Sequence, residues 1–267
     1  MKIAALQMVS TPSVEQNLDA ARALLERAAG EGAELAVLPE YFCILGRSDR
    51  DKLAVAEAFG DGPIQRMLAD SARRHRLWLI GGTLPIATGD ANRVMNSNLV
   101  FSPEGERVAR YDKIHLFRYD NGTERYDEGR TLDAGSEPVA FMAAGWRVGL
   151  SVCYDLRFPE LYRSLMQPPC DLLCVPSAFT YPTGAAHWEV LLRARAIENQ
   201  CYVVAAAQGG MHENGRRTFG HSLVIDPWGE VMAMRPEGEG VVTAELKRER
   251  IVQVRSQLPA LEHRRSF

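Results

Sequence analysis

Apolar and polar positions along this chain alternate between short strand-like runs and longer stretches of helical spacing. Ile3–Met8 is a compact apolar run of strand length. Val14–Ala29 repeats its apolar positions three and four apart and closes on Gly30 and Gly32, which predicts a helix. Leu35–Leu38 is a second strand, stopped by Pro39. Pro63–Arg76 reads as a helix with proline near its start, followed by a strand at Leu77–Ile80 and the Gly81-Gly82 break. Asn98–Phe101 is a further strand, turned by S-P-E-G-E from Ser102. Near the end, Lys247–Gln257 predicts a helix and Leu258–Phe267 an extended tail.

The second half echoes the first. L-A-V-L-P-E-Y-F from Leu35 is matched by L-L-C-V-P-S-A-F from Leu172. N-L-V-F-S-P-E-G-E from Asn98 is matched by S-L-V-I-D-P-W-G-E from Ser222. Each half also opens with an apolar strand, I-A-A-L-Q-M in one and V-G-L-S-V-C-Y-D in the other. Two similar β-α-β units, each with helices on one face of its sheet, bury their bare faces by stacking sheet on sheet. The expected fold is therefore an α/β four-layer α-β-β-α sandwich. A single doubly wound sheet is the rival. It calls for a glycine-rich phosphate loop after the first strand, where this chain has V-S-T-P-S. No linker or low-complexity stretch divides residues 1–267, so one domain is expected.

Composition narrows the function classes. The formal net charge of −3 gives no electrostatic footprint for nucleic acid or an anionic membrane, and no apolar run reaches the length of a membrane helix. Five cysteines and no leader-like start argue against a disulfide framework and for a cytoplasmic location. Cys170 and Cys174 are badly spaced for zinc and have no second ligand pair.

Three polar residues stand where strands end, the place at which α/β folds assemble sites. Glu40 follows A-V-L-P, Lys113 lies in R-Y-D-K-I-H-L-F, and Cys153 opens C-Y-D-L-R-F-P-E after an apolar strand. Singly, each has a plain structural reading. Together, in this order and with these motifs over essentially the whole chain, they resemble the nitrilase superfamily of carbon–nitrogen hydrolases. That resemblance implies a Glu–Lys–Cys triad, no metal or organic cofactor, a small-molecule amide substrate and a homodimer. In it the Cys153 thiolate attacks the amide carbon, and Lys113 favours the thiolate and, with the Tyr154 N–H, holds the oxyanion. Glu40 moves the protons. Glu128, in R-Y-D-E-G-R-T-L, is implied to hold the lysine or position the substrate, and Tyr41, Phe179 and Thr180 to line the substrate site. His115, read as sharing a strand face with Lys113, and His187, read as opening the helix A-H-W-E-V, are expected to be structural.

The stretch P-S-A-F-T-Y-P-T-G from Pro176 resembles the deaminated-glutathione amidases within that superfamily; the neighbouring ω-amidases usually carry Gly at 177 and Asn at 180. The implied substrate is a 2-oxo-glutaramyl amide, with α-ketoglutaramate or other dicarboxylate monoamides, or a nitrile, as alternatives. Arg118 departs from the superfamily pattern. It reads equally as a clamp for a substrate carboxylate and as a solvated arginine.

Overall fold

The computed structural model describes residues 1–265. Strand β1 (Lys2–Gln7) leads through helix α1 (Val14–Gly30) to β2 (Leu35–Val37), then through the short helix α2 (Asp51–Ala54) and helix α3 (Pro63–His75) to β3 (Trp78–Ile80). An antiparallel run follows: β4 (Leu84–Ala87), β5 (Val94–Phe101) and β6 (Arg107–Asp112). The next loop carries a hairpin, β7 (Arg118–Asp120) and β8 (Arg125–Asp127), then a 3-10 turn and β9 (Leu132–Asp133).

The second half runs β10 (Ala140–Ala143), β11 (Trp146–Leu150), a 3-10 turn (Cys153–Arg157), α4 (Pro159–Ser164), β12 (Leu172–Cys174), α5 (Tyr181–Asn199) and β13 (Tyr202–Ala205). A hairpin, β14 (Gly209–Met211) and β15 (Arg217–Phe219), precedes β16 (Ser222–Ile225) and β17 (Val231–Arg235). Strand β18 (Gly240–Glu245) and helix α6 (Arg248–Gln257) complete the described elements.

An eight-stranded sheet is ordered β18-β1-β2-β3-β5-β4, with β6 and β9 also on β5, and a six-stranded sheet β10-β11-β12-β13-β16-β17. Strand periodicity explains the layering. Ile3, Ala5, Leu35, Val37 and Ile80 point into the core shared with the second sheet. Their neighbours Ala4, Leu6, Ala36, Leu38 and Leu79 point the other way, onto Leu18, Leu25, Met67 and Leu68 of α1 and α3. Helix α5 buries Trp188, Leu192 and Ala196 against the second sheet, which completes the α-β-β-α sandwich.

The predicted helix at Lys247–Gln257 begins one residue later, and the Asn98–Phe101 strand extends back to Val94. Within the expected extended tail, residues 260–263 form a turn with Leu261 packed on the core; residues 266–267 lie outside the described part. No helix among the described residues is long and apolar enough to cross a membrane.

Candidate active site

The echoing corners at the ends of β2 and β12 meet. Pro39–Glu40 leaves the first strand and Pro176–Ala178 the second, and the Ala178 N–H donates to Glu40 Oε2 at 3.0 Å. Gly82 permits the close approach of β3, since a Cβ there would stand 2.1 Å from the Pro39 carbonyl oxygen. Glu40 is 1% exposed. A carboxylate so deep must be fully hydrogen-bonded. Besides Ala178 it accepts from Asn96 Nδ2 at 3.0 Å and from Lys113 Nζ at 2.9 Å.

Lys113 directly follows β6 and is buried. All its donors are engaged, on Glu40 Oε1 and on both oxygens of Glu128 at 3.0 and 2.7 Å. Glu128 also accepts from Tyr41 OH at 2.8 Å and Phe117 N at 2.7 Å. Burial acts against the ammonium, but the Glu128 and Glu40 charges outweigh it and hold Lys113 above the usual lysine range. Glu128 shows the converse: burial disfavours its charge, yet the Lys113 ammonium keeps its carboxyl below the ordinary range.

Cys153 sits on a sharp corner between β11 and the 3-10 turn. Its φ of 49° is left-handed, a conformation that costs a non-glycine residue about 1–2 kcal/mol. The corner is held from both sides. Cys153 N–H donates to Pro176 O at 2.9 Å. Buried Asp155 accepts from Val152 N at 2.8 Å and Tyr111 OH at 2.7 Å on one oxygen. Its other oxygen meets His115 N at 3.0 Å and His115 Nδ1 at 2.7 Å. One carboxylate thus ties the cysteine corner to the segment carrying Lys113.

Lys113 pulls the Cys153 thiol down, in the direction expected of it, but other groups act against it. Burial first, and then the Glu40 charge, push the Cys153 thiol well above its ordinary value, and the pull of Lys113 does not offset them. The Lys113 ammonium is shared between two carboxylates.

Cys153, Glu40 and Glu128 open into a narrow cleft, lined also by Tyr154, Arg157, Phe179, Thr180 and Thr183. Tyr154 is the second residue of the 3-10 turn, where a helix start leaves N–H groups without intrahelical partners. Phe179 rests on Trp188 with ring centres 4.9 Å apart. Thr180 and Thr183 share a 2.7 Å hydrogen bond at the start of α5. Phe117, Glu128 and Arg216 join this cleft to a broader outer vestibule, which Tyr41 lines. Of the expected substrate-site residues, Phe179 and Thr180 therefore lie in the inner cleft, while Tyr41 lies outside it and braces Glu128.

Other readings are also revised. Arg118 is exposed on the β7–β8 hairpin and lines neither space, because the hairpin turns it outward. His115 stands beyond β6 rather than on a strand with Lys113, stacked on Phe158 at 3.7 Å. His187 lies within α5, which begins at Tyr181. Asn96, Arg157, Lys52 and Arg216 were missed. Arg157 was visible inside the cysteine motif, whereas Lys52, Asn96 and Arg216 carry no local signal because distant segments bring them to the site.

Comparison with known proteins places these features in context. The sequence profile described as carbon-nitrogen hydrolase matches residues 2–256. The deaminated glutathione amidase of Synechocystis sp. is 44% identical, over 98% of this chain and 97% of its own length. The crystal structure of the Caenorhabditis elegans NitFhit protein superposes with a TM-score of 0.90 at 40% identity, covering 99% of this chain and 65% of that one. A glutamate-to-glutamine mutant of the amidase from Nesterenkonia sp. AN1, showing Michael addition of acrylamide at its active-site cysteine, has a TM-score of 0.81 at 26% identity. It covers 97% of this chain and 98% of its own.

Proposed function

The chain belongs to the carbon–nitrogen hydrolase family and is a hydrolase of linear amides, and from that premise we propose that it cleaves a 2-oxo-glutaramyl amide, deaminated glutathione, through a thioester on Cys153. The observation that carries this reading is Cys153 opening into the same cleft as the buried Glu40 carboxylate, with one lysine pinned between two acids. Glu40 takes the thiol proton as sulfur attacks the amide carbon. Once Glu40 is protonated its Oε1 no longer needs the Lys113 hydrogen, so that N–H turns to the developing oxyanion beside the Tyr154 N–H. Glu40 then protonates the leaving amine. In the second half it takes a proton from water, which attacks the thioester, and returns that proton to sulfur. Glu128 keeps Lys113 charged and in place throughout.

The substrate assignment rests on the relatives and on the cleft. In the cleft, Arg157 offers a guanidinium to a 2-oxo acid carboxylate beside the Cys153 thiol. We read the whole chain as one functional domain with a repair task. The five free, buried cysteines suit the reducing cytoplasm. The exposed apolar face of α5 and its neighbours, with Val190 61% and Trp228 49% exposed, supports a homodimer. Light scattering should give twice the chain mass, falling towards the chain mass for Val190→Asp; a wild-type monomer would remove that reading.

The test of function is direct. Purified protein should release 2-oxoglutarate and cysteinylglycine from deaminated glutathione faster than it consumes α-ketoglutaramate or a nitrile. Cys153→Ala should abolish turnover at a stability cost of no more than about 1–2 kcal/mol. Substantial activity in the alanine variant would end the thioester mechanism.

A further inference from the structure

The charged groups of the vestibule are mostly accounted for. Glu128 is neutralised by Lys113, Arg47 lies 3.9 Å from Glu213, and Arg125 lies 3.7 Å from Asp120. Lys52 is different. It is nine-tenths buried, lines the vestibule, and makes no hydrogen bond or ion pair among the described residues. Its Nζ stands over an aromatic face, 5.3 Å from the centre of the Tyr41 ring. Burial pulls its ammonium below the ordinary lysine range, and Glu128 and Asp49 pull it back only in part. Its stem is buried while its Nζ faces the vestibule, so a partly desolvated cation with no protein partner there gains by pairing with an anion that enters.

A second cation shares the wall. Arg216 is anchored by Nη2 on Ala178 O at 2.8 Å and by its position 4.8 Å over the Tyr126 ring. Its Nε is buried without a partner. Arg216 also borders the inner cleft, so it stands at the passage between the reacting atoms and Lys52. The inner cleft takes the acyl part, and the leaving group then occupies the vestibule.

We propose that Lys52, with Arg216 beside it, forms an anion subsite that receives the terminal carboxylate of a short peptide-like leaving group. The inference rests on the 2-oxo-glutaramyl reading and adds to it a reason for preferring an extended amide over the bare one. Asp49 and Glu124 on the rim exclude a more highly charged anion and favour a single carboxylate.

A matched pair of substrates tests this: deaminated glutathione, and the same molecule with its glycine carboxylate converted to the primary amide. Wild type should favour the acid in kcat/KM by roughly tenfold or more, a span expected for one desolvated charge pair. In Lys52→Met that ratio should collapse to within about twofold or threefold, through a higher KM for the acid. Lys52→Arg, which keeps the charge and controls for folding, should restore most of the ratio. If wild type cleaves both amides with equal efficiency, or if Lys52→Met keeps the preference, the subsite is overturned while the substrate reading stands. If neither amide is cleaved, the substrate reading falls and the subsite falls with it.

Discussion

At the scale of single residues, the site is governed by which charges are already spent. The Lys113 hydrogens are divided between Glu40 and Glu128, and after burial the Glu40 charge is the main influence raising the Cys153 thiol, with Lys113 opposing it. This gives Glu40→Gln two opposed expected effects. Turnover should fall by at least about 10²–10⁴, because one group carries the protons of both half-reactions. Alkylation of Cys153 by neutral iodoacetamide at pH 7–8 should instead accelerate. Removing the Glu40 charge leaves burial and the more weakly acting Glu128 charge opposed by Lys113 and the Ala178 backbone N–H, which lowers the thiol towards its ordinary value. Any acylation by substrate should stall as a thioester visible by intact-protein mass spectrometry. Cys153 lines the cleft at 7% exposure while the other four cysteines are at 0%, so the readout belongs to Cys153. If alkylation and turnover fall together, Glu40 deprotonates the thiol even for the alkylating agent, and the view of Glu40 as a brake on thiolate formation is wrong.

At the scale of elements, the cysteine corner and the lysine segment are separate pieces of chain joined through Asp155. Replacing Asp155 by Asn sets an amide N–H₂ against a fixed backbone donor on one side or the other, either the Val152 N–H beside Tyr111 OH or the His115 N–H. An orphaned buried donor costs about 1–3 kcal/mol. The Asn variant should melt lower, and well below its melting temperature kcat should still be reduced about tenfold or more with KM little changed, because small misplacements of reacting groups are expensive. Full kcat in folded Asp155→Asn would make the residue a staple for stability alone. Much of this level was legible in the sequence. Helix α1, the strand β2 and the proline-started α3 follow from periodicity and breakers, and Glu40, Lys113 and Cys153 could be singled out from their motifs. The start of β5 was not, because its buried Asn96 and Ser97 look polar while serving the site and the sheet. The 3-10 turn after β11 was also hidden, since nothing local in C-Y-D announces that its aspartate bonds partners some forty residues away.

At the scale of the molecule, the internal echo foretold two stacked sheets but not how the chain locks them. Strand β18 returns to pair antiparallel with β1, from Lys2 opposite Glu245 to Gln7 opposite Gly240. No echo in the first half signals this, and a pairing between the two ends of a chain has no local signature. Just beyond β1 a second tie appears, for His212 joins Ser10 O at 2.9 Å to Thr218 Oγ1 of β15 at 2.8 Å. Burial, opposed only in part by the Ser10 carbonyl, lowers His212 from its ordinary 6.5 to about 4. The sign follows from proton counting: between those values the unfolded chain binds a proton on this imidazole and the folded chain does not. Stability is therefore fully present above about pH 6.5 and is lost as pH falls towards 4, by at most on the order of 3 kcal/mol. Partly exposed His75 is lowered in the same sense by lesser burial, and Glu128, held below the ordinary carboxylate range, loses its contribution only at still lower pH. Urea unfolding at pH 7, 5.5 and 4.5 should show wild type weakening step by step. His212→Asn should start less stable, yet lose most of that pH dependence. Parallel slopes in the two proteins would mean that the proton taken up on unfolding binds elsewhere, with His75 next to be replaced.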